Sequence, residues 1–121
     1  MARGKILLVD DEIGVRSFFQ DYLENCNFDV VTAEDGIEGL RLFKKGQFDL
    51  VISDMMMPGM IGMDLLKSIK AIKADQKVVM MTGVNEDSMK QKAKDLGCLD
   101  YITKPLRLAD VEEKITRLFP E

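Results

Sequence analysis

The stretch DLVISDMMMPG, residues 49–59, runs from apolar residues into one carboxylate, Asp54, and then into three methionines and a Pro-Gly turn. Its Leu, Val and Ile content is typical of a strand that is buried on both faces of a parallel sheet. A lone carboxylate at the end of a strand is most often a solvated terminus. The rest of the chain decides whether Asp54 has partners that give it a function.

The size, charge and composition of the chain exclude several classes of protein. Its 121 residues are the size of one domain, and we expect a single domain over residues 1–121. With 17 basic and 21 acidic residues the net charge is −4, which argues against a nucleic-acid-binding surface. No apolar run approaches the roughly 18 residues of a membrane span. Cys26 and Cys98 lack metal-ligand spacing and indicate small core residues in a reducing cytoplasm.

Histidine is absent from the sequence. This excludes an imidazole base, a Ser-His or Cys-His pair and a histidine-ligated zinc site. Any chemistry must therefore rest on carboxylates, hydroxyls, lysines or a bound metal.

Short apolar runs alternate with stretches of helical periodicity along the chain. Strands are predicted over residues 5–9, 29–32, 50–53, 77–82 and 99–103. The helical stripes are Val15, Phe19, Tyr22 and Cys26; Ile37, Leu40 and Phe43; Leu65, Leu66 and Ile69; Met89, Ala93 and Leu96; and Val111, Ile115 and Leu118. Gly46 and Gly97 are expected to end helices, and Asn85 or Asp87 to cap the fourth.

This alternation predicts an α/β fold, a doubly wound five-stranded parallel sheet with five helices on its two faces. The strand order 2-1-3-4-5 is the one known from flavodoxin-like sheets. Ligands of such sheets bind beyond the carboxyl ends of the strands, between the first and third strands.

Polar side chains stand at that edge of the predicted sheet. They are Asp10, Asp11 and Glu12 after the first strand, Asp54 after the third, Thr82 at the end of the fourth and Lys104 after the fifth. Two carboxylates about 4 Å apart repel by roughly 4 kcal/mol at an effective dielectric of about 20, so a cation is expected among them. Hard oxygen ligands favour Mg²⁺, with Mn²⁺ as an alternative.

A metal, an ammonium and a hydroxyl together suit a phosphoryl group, whose oxygens need charge neutralisation and positioning. A carboxylate among them can be the nucleophile and form an acyl phosphate. Asp54 is the best placed, because it stands alone at its strand end. Glu12 is expected to act only through the dipole of the helix that follows it.

Four motifs, in order and at matching spacing, resemble the receiver domain of bacterial two-component response regulators along the whole chain. They are VDDE at residues 9–12, DMMMPGMIG at 54–62 with Pro58 and Gly62, MTG at 81–83, and DYITKP at 100–105. The resemblance implies that Asp54 is the phosphoacceptor. It also implies that Mg²⁺ is held by Asp10, Asp11, Asp54 and the backbone carbonyl of Met56, with Asp11 a direct ligand.

The resemblance implies a switch as well. Lys104 would pair with the phosphoryl group, Thr82 would move to bond it, and Tyr101 would turn inward in response. The Lys104–Pro105 peptide would be cis. Met56 and Val84 stand where many receivers have polar residues, which predicts slow hydrolysis of the acyl phosphate.

The expected partners are proteins. The phosphoryl donor would be a phosphohistidine of a sensor histidine kinase or histidine phosphotransferase, docking around the first helix and the loop of Pro105. Phe18 is a candidate contact there, with core packing an equal alternative. A downstream protein target would bind the face formed by the fourth helix, fifth strand and fifth helix. No direct nucleic-acid or membrane partner is expected, nor enzymatic action beyond its own phosphorylation and dephosphorylation.

Other interpretations remain open from the sequence. The chain would be a stand-alone receiver, of the chemotaxis or sporulation phosphorelay type, or a fragment of a longer DNA-binding or enzymatic regulator. An FMN-binding domain is less favoured because acidic residues follow the first strand, where such a domain would have a phosphate-binding loop rich in Ser, Thr and Gly. A small-molecule phosphatase is less favoured because Met56 replaces the second acid of an Asp-x-Asp signature.

Overall fold

A computed structural model describes residues 2–55, 62–83 and 87–120 of the chain. The strands form one parallel sheet in the order β2-β1-β3-β4-β5. They are β1 (Lys5–Val9), β2 (Asp29–Ala33), β3 (Leu50–Asp54), β4 (Val78–Thr82) and β5 (Asp100–Thr103). The helices are α1 (Ile13–Asn25), α2 (Gly36–Lys45), α3 (Gly62–Ile72), α4 (Asp87–Asp95) and α5 (Leu108–Leu118).

The doubly wound α/β fold and the strand order 2-1-3-4-5 predicted from the sequence are confirmed. Each predicted strand coincides with an observed strand to within one residue at either end. Among the residues that the structure describes, no helix has the length and apolar character needed to cross a membrane.

Alternate residues of the central strands enter two hydrophobic clusters, one on each face of the sheet. In β1, Leu7 and Val9 join the cluster under α2, α3 and α4, whereas Ile6 and Leu8 join the cluster under α1 and α5. Burial on both faces explains why these strands are continuously apolar rather than alternating. The polar residues at the strand ends therefore stand on a rigid, fully packed support.

The predicted apolar stripe of α2 is wrong at one position. Ile37 is 65 % exposed, and the helix instead presents Gly36, Gly39 and Phe43 to the core. The reason is close packing of α2 on the sheet, since a Cβ on Gly39 would lie 2.9 Å from Val9 Cγ2. Glycines, which carry no hydrophobic signal, form much of the buried face.

The residues expected at the helix ends lie there, with one difference. Gly46 is the C-terminal cap of α2, and Gly97 follows α4 with a positive φ of 100°. Asp87 is the first residue of α4 and lies in its first turn rather than at the cap, while Asn85 lies outside the described residues.

Candidate functional site

The side chain of Lys104 joins the carboxyl ends of separate strands. Its Nζ lies 3.0 Å from Asp10 Oδ2, 3.1 Å from Asp54 Oδ2 and 3.1 Å from Glu12 Oε1. Lys104 follows β5, which is separated from β3 by β4, so a long side chain is needed to reach Asp54. The topology thus brings Asp10, Asp54 and Lys104 together, as the sequence predicts.

Four carboxylates cluster at this edge of the sheet, and three of them pair with Lys104. One oxygen from each of Asp10, Asp11, Glu12 and Asp54 lies within 4.8 Å of the others. Asp10 is fully buried and Asp54 is 7 % exposed, whereas Asp11 and Glu12 are exposed. The cluster is therefore anchored in the protein on one side and open to solvent on the other.

Backbone and side-chain hydrogen bonds fix Asp10 in place. The Glu12 N–H donates to Asp10 Oδ1 at 2.8 Å, and Arg16 Nη1 donates to the Asp10 carbonyl oxygen at 2.7 Å. Both donors come from the start of α1, which begins directly after this acidic segment. The helix thus holds the backbone and one carboxylate oxygen of Asp10, and leaves the other oxygen facing Lys104.

Burial and charge act in opposite directions on the two central groups. Burial raises the pKa of Asp10, and the bond from the Glu12 N–H and the nearby Lys104 offset that rise only in part. Burial alone would lower the pKa of Lys104, but the contact with Asp10 and the charge of Asp54 outweigh it and raise that pKa. Lys104 is therefore a cation over the whole physiological pH range.

The donor set fits a hard divalent cation. Asp10 Oδ2 is buried and accepts no hydrogen bond from the described residues, since its contact with Lys104 is an ion pair outside hydrogen-bond geometry. In the described part of the site, the four carboxylates outnumber the nearby cations, Lys104 and Arg16, so further positive charge would be stabilised there. Carboxylate oxygens of this kind suit Mg²⁺. Met56, the expected carbonyl ligand, lies outside the described residues.

Thr82 brings a hydroxyl to the same edge of the sheet. It ends β4 and is fully buried, and its carbonyl oxygen accepts a 2.7 Å hydrogen bond from the Lys104 N–H. Within the described ranges its Oγ1 has no hydrogen-bond partner. A buried hydroxyl without a partner is costly, so an incoming acceptor would gain from it. Val84, two residues later, lies outside the described residues.

Tyr101 links β5 to α4. Its hydroxyl donates to the carbonyl oxygen of Lys90, and its N–H donates to Asp100 Oδ1 at 2.8 Å. The ring is half-buried against the cluster beneath α4, and burial raises its pKa. The Lys104–Pro105 peptide that follows β5 is cis.

A largely apolar cavity of about 570 Å³ adjoins the acidic cluster. Val15 and Phe18 of α1 line it together with Pro105 and Leu106, and Glu12 and Lys104 supply its charged lining. Phe18 also packs on the ring of Phe19, so it contacts the core as well as lining the cavity.

Two residues of the site have contacts that the sequence did not predict. Glu12 was expected to act only on the helix dipole, but its carboxylate also pairs with Lys104. Arg16 has no predicted role, although its spacing of four residues from Glu12 on a helix places it over the preceding acidic segment. The run of three acids at 10–12 was the available signal for Glu12.

Comparison with known proteins gives the same result as the geometry. Residues 6–116 match the family model described as the response regulator receiver domain. The chain is 32 % identical to sporulation initiation phosphotransferase F of Bacillus subtilis, over 99 % of this chain and 97 % of that protein. It is 37 % identical to chemotaxis protein CheY-3 of Vibrio cholerae, over 95 % of this chain and 91 % of that protein.

Longer relatives and solved structures are similar too. The chain is 34 % identical to the transcriptional regulatory protein PhoP of Bacillus subtilis but covers only 46 % of it. A structure of CheY4 of Vibrio cholerae matches with a TM-score of 0.89 and 31 % identity, over 98 % of each chain. A receiver-domain structure from Clostridium thermocellum matches with a TM-score of 0.89 and 34 % identity, over 98 % of this chain and 94 % of that one.

The family match covers the five strands except the first residue of β1, and it includes the residues that meet at Lys104. It confirms the resemblance found in the sequence motifs, and nothing in it favours an FMN-binding or phosphatase fold. The chain therefore belongs to the response regulator receiver domain family, the phosphoryl-accepting modules of two-component signalling.

Proposed function

We propose that Asp54 accepts a phosphoryl group from a phosphohistidine in a reaction that depends on Mg²⁺. The observation that carries the proposal is the placement of Lys104 Nζ at 3.1 Å from Asp54 Oδ2 and 3.0 Å from Asp10 Oδ2. Receiver domains work with histidine kinases or histidine phosphotransferases. This chain contains no histidine, so the phosphohistidine lies outside it, in a sensor kinase or a phosphotransferase.

The transfer is a displacement at phosphorus. A carboxylate oxygen of Asp54 forms a bond to phosphorus, the bond between phosphorus and the imidazole nitrogen breaks, and the electron pair of that bond stays on the imidazole. Lys104 offsets the charge gained at Asp54, and the Thr82 hydroxyl can donate to a phosphoryl oxygen. Bound Mg²⁺, held by Asp10, Asp11 and Asp54, would neutralise charge on the transferring group.

The cavity between α1 and Pro105 is the proposed docking site of the donor protein. It is lined by apolar side chains, among them Phe18 and Pro105, and it adjoins the acidic cluster through Glu12 and Lys104. A donor seated there would bring its phosphohistidine to the solvent-open side of Asp54. Apolar surface next to a reactive group is typical of a protein docking site.

The output is proposed to be a change of the face formed by α4, β5 and α5. Two features support it: the buried hydroxyl of Thr82 lacks a partner among the described residues, and Tyr101 is held to α4 by its bond to the Lys90 carbonyl. Phosphorylation would draw Thr82 towards Asp54 and shift the population of Tyr101 conformers. A downstream protein target would bind that face. The domain would act in the cytoplasm, without direct contact to nucleic acid or membrane.

Treatment with acetyl phosphate tests the proposal directly. Incubated with Mg²⁺, the wild-type protein should gain the mass of one phosphoryl group, and chelation of the metal should prevent the gain. Asp54→Asn should remain unmodified, whereas Asp21→Asn, at an exposed position of α1, should react like wild type. Persistent labelling of Asp54→Asn would overturn the assignment. Multiple turnover of a small phosphate ester would revive a phosphatase function.

A further inference from the structure

Glu12 shares the ammonium group that the proposed function assigns to the phosphoryl group. Lys104 Nζ contacts Glu12 Oε1, Asp10 Oδ2 and Asp54 Oδ2 at 3.0–3.1 Å. Two of these contacts, with Glu12 and Asp54, are hydrogen bonds, and the third, with Asp10, is an ion pair. A phosphoryl oxygen that approaches Nζ therefore competes with three carboxylates for one positive charge and weakens at least one of these contacts.

The three carboxylates are not equally held. The side chain of Asp10 is 0 % exposed and that of Asp54 is 10 % exposed, whereas that of Glu12 is 62 % exposed. Water can replace Lys104 as a partner of Glu12 at little cost, but it cannot reach Asp10 in the same way. Asp54 itself carries the phosphoryl group, so Glu12 is the contact that is given up most easily.

We infer that Glu12 is a positioning residue that holds Lys104 in the unphosphorylated domain and is displaced from it by the phosphoryl group on Asp54. The inference rests on the proposed function. Glu12 acts through Lys104 and competes with the phosphoryl oxygens for its N–H donors. It therefore lowers the affinity of the site for a phosphoryl group.

Displacement of Glu12 from Lys104 also changes the charge balance of the docking cavity. Glu12 and Lys104 both line the cavity between α1 and Pro105. When the phosphoryl group binds Lys104, the carboxylate of Glu12 still lines the cavity, but Lys104 no longer neutralises it. Phosphorylation and occupation of the cavity are thereby coupled, and the coupling acts equally in both directions.

Beryllofluoride, an analogue of a phosphoryl group, provides the test. Its affinity is measured by titration calorimetry at saturating Mg²⁺ for wild type, for Glu12→Gln and for Glu24→Gln. The last variant makes the same change of charge at an exposed position at the other end of α1. Glu12→Gln should bind about two- to fivefold more tightly than wild type, the range expected for a partly exposed ion pair. Glu24→Gln should bind like wild type.

The outcomes separate the inference from the function on which it rests. If wild type binds beryllofluoride but Glu12→Gln binds equally or more weakly, Glu12 is no competitor and the inference is overturned. If wild type binds none at saturating Mg²⁺, the proposed function fails and the inference with it. A second readout is the side-chain carboxyl ¹³C resonance of Glu12, which should move when beryllofluoride is added to wild type and would stay unchanged for a residue that only supports the fold.

Discussion

Lys104 Nζ lies 3.1 Å from Asp54 Oδ2, although 50 residues separate the two and β4 lies between their strands. The same ammonium group is 3.0 Å from Asp10, which follows the strand β1 next to β3. One cation thus neutralises carboxylates from both sides of the point where the strand order reverses. Ligands of doubly wound sheets bind at this point.

Replacing Lys104 by Met should slow phosphorylation by acetyl phosphate about 100-fold, the effect of removing one preorganised stabilising group. Methionine has about the length of lysine but carries no charge. The charge that develops on the phosphoryl oxygens therefore has one fewer cation to stabilise it. Initial rates by mass spectrometry at saturating Mg²⁺ give the measurement. Lys92→Met, at an exposed position of α4, should react like wild type, and an equal loss in both variants would contradict a specific role.

Asp10 should destabilise the folded domain when no divalent cation is present. Burial raises the pKa of Asp10 in the folded protein above its value in the unfolded chain. The free energy of unfolding therefore falls as the pH rises from the unfolded pKa through the folded pKa. At pH 7 folding has to bury the charged form of Asp10, which is unfavourable. Asp10→Asn should therefore resist urea better than wild type in a chelating buffer. Mg²⁺ at about 100 times its Kd should stabilise wild type by about 2.7 kcal/mol and leave the variant unchanged. Equal stabilisation of both proteins would exclude Asp10 from the metal site.

Asp100 should contribute stability that depends on pH in the opposite sense. Burial alone would raise its pKa, but hydrogen bonds from Lys114 Nζ and the Tyr101 N–H, both at 2.8 Å, lower it overall. Its contribution is thus present above the unfolded pKa of about 3.9 and is lost as the pH falls through the lower folded pKa.

Asp100→Asn should accordingly lower the free energy of unfolding by about 1 kcal/mol at pH 7. The difference from wild type should begin to shrink as the pH falls below about 3.9, and it should vanish below the lower folded pKa, where the carboxylate is protonated in the folded protein as well. Urea unfolding at a series of pH values gives the measurement. A difference that stays constant with pH would show that the ion pairs contribute nothing.

The close approach of α2 to β1 should make Gly39 intolerant of a side chain. A Cβ there would lie 2.9 Å from Val9 Cγ2 and 3.2 Å from Val9 Cγ1, so Gly39→Ala should cost about 1–3 kcal/mol by overpacking. Gly14 in α1 has nothing within 4 Å of that position, and Gly14→Ala should instead stabilise by up to about 1 kcal/mol through helix propensity. Thermal unfolding of both variants checks the contrast, and a stable Gly39→Ala would contradict the packing.

The lifetime of the acyl phosphate should depend on Met56. Its thioether cannot orient an attacking water by a strong hydrogen bond, so the phosphorylated wild type should lose phosphate slowly. Met56→Asn should lose phosphate faster, as followed by intact mass after removal of the phosphodonor and chelation of the metal. Loss from wild type that is no slower than from Met56→Asn would refute this prediction.

The parts of the fold that follow from hydrophobic periodicity could be predicted, and those that follow from close packing could not. The apolar runs of β1, β3 and β4 marked strands buried on both faces. Ile37 was wrongly placed in the core, because the close contact between Gly39 and Val9 turns a glycine rather than an apolar side chain towards the sheet. Nothing in a single sequence distinguishes such a glycine from one in a turn.

The residues of the site likewise divide into those that the sequence pattern predicts and those that depend on local packing. Asp10, Asp54 and Lys104 were predictable because parallel strands bring their carboxyl ends to one edge. The pairing of Glu12 with Lys104 was missed, because it depends on the direction of a flexible, 62 % exposed side chain. The bond from Tyr101 to Lys90 likewise depends on how far α4 lies from β5, which periodicity does not determine.

Trapping of the acyl phosphate tests the central claim most directly. The protein is phosphorylated with acetyl phosphate and Mg²⁺, reduced with borohydride, digested and sequenced by mass spectrometry, so that the phosphorylated aspartate is read out as homoserine. We expect homoserine at position 54 alone. Homoserine at position 10 or 11, or an unmodified Asp54 in protein that has gained a phosphoryl group, would contradict the account.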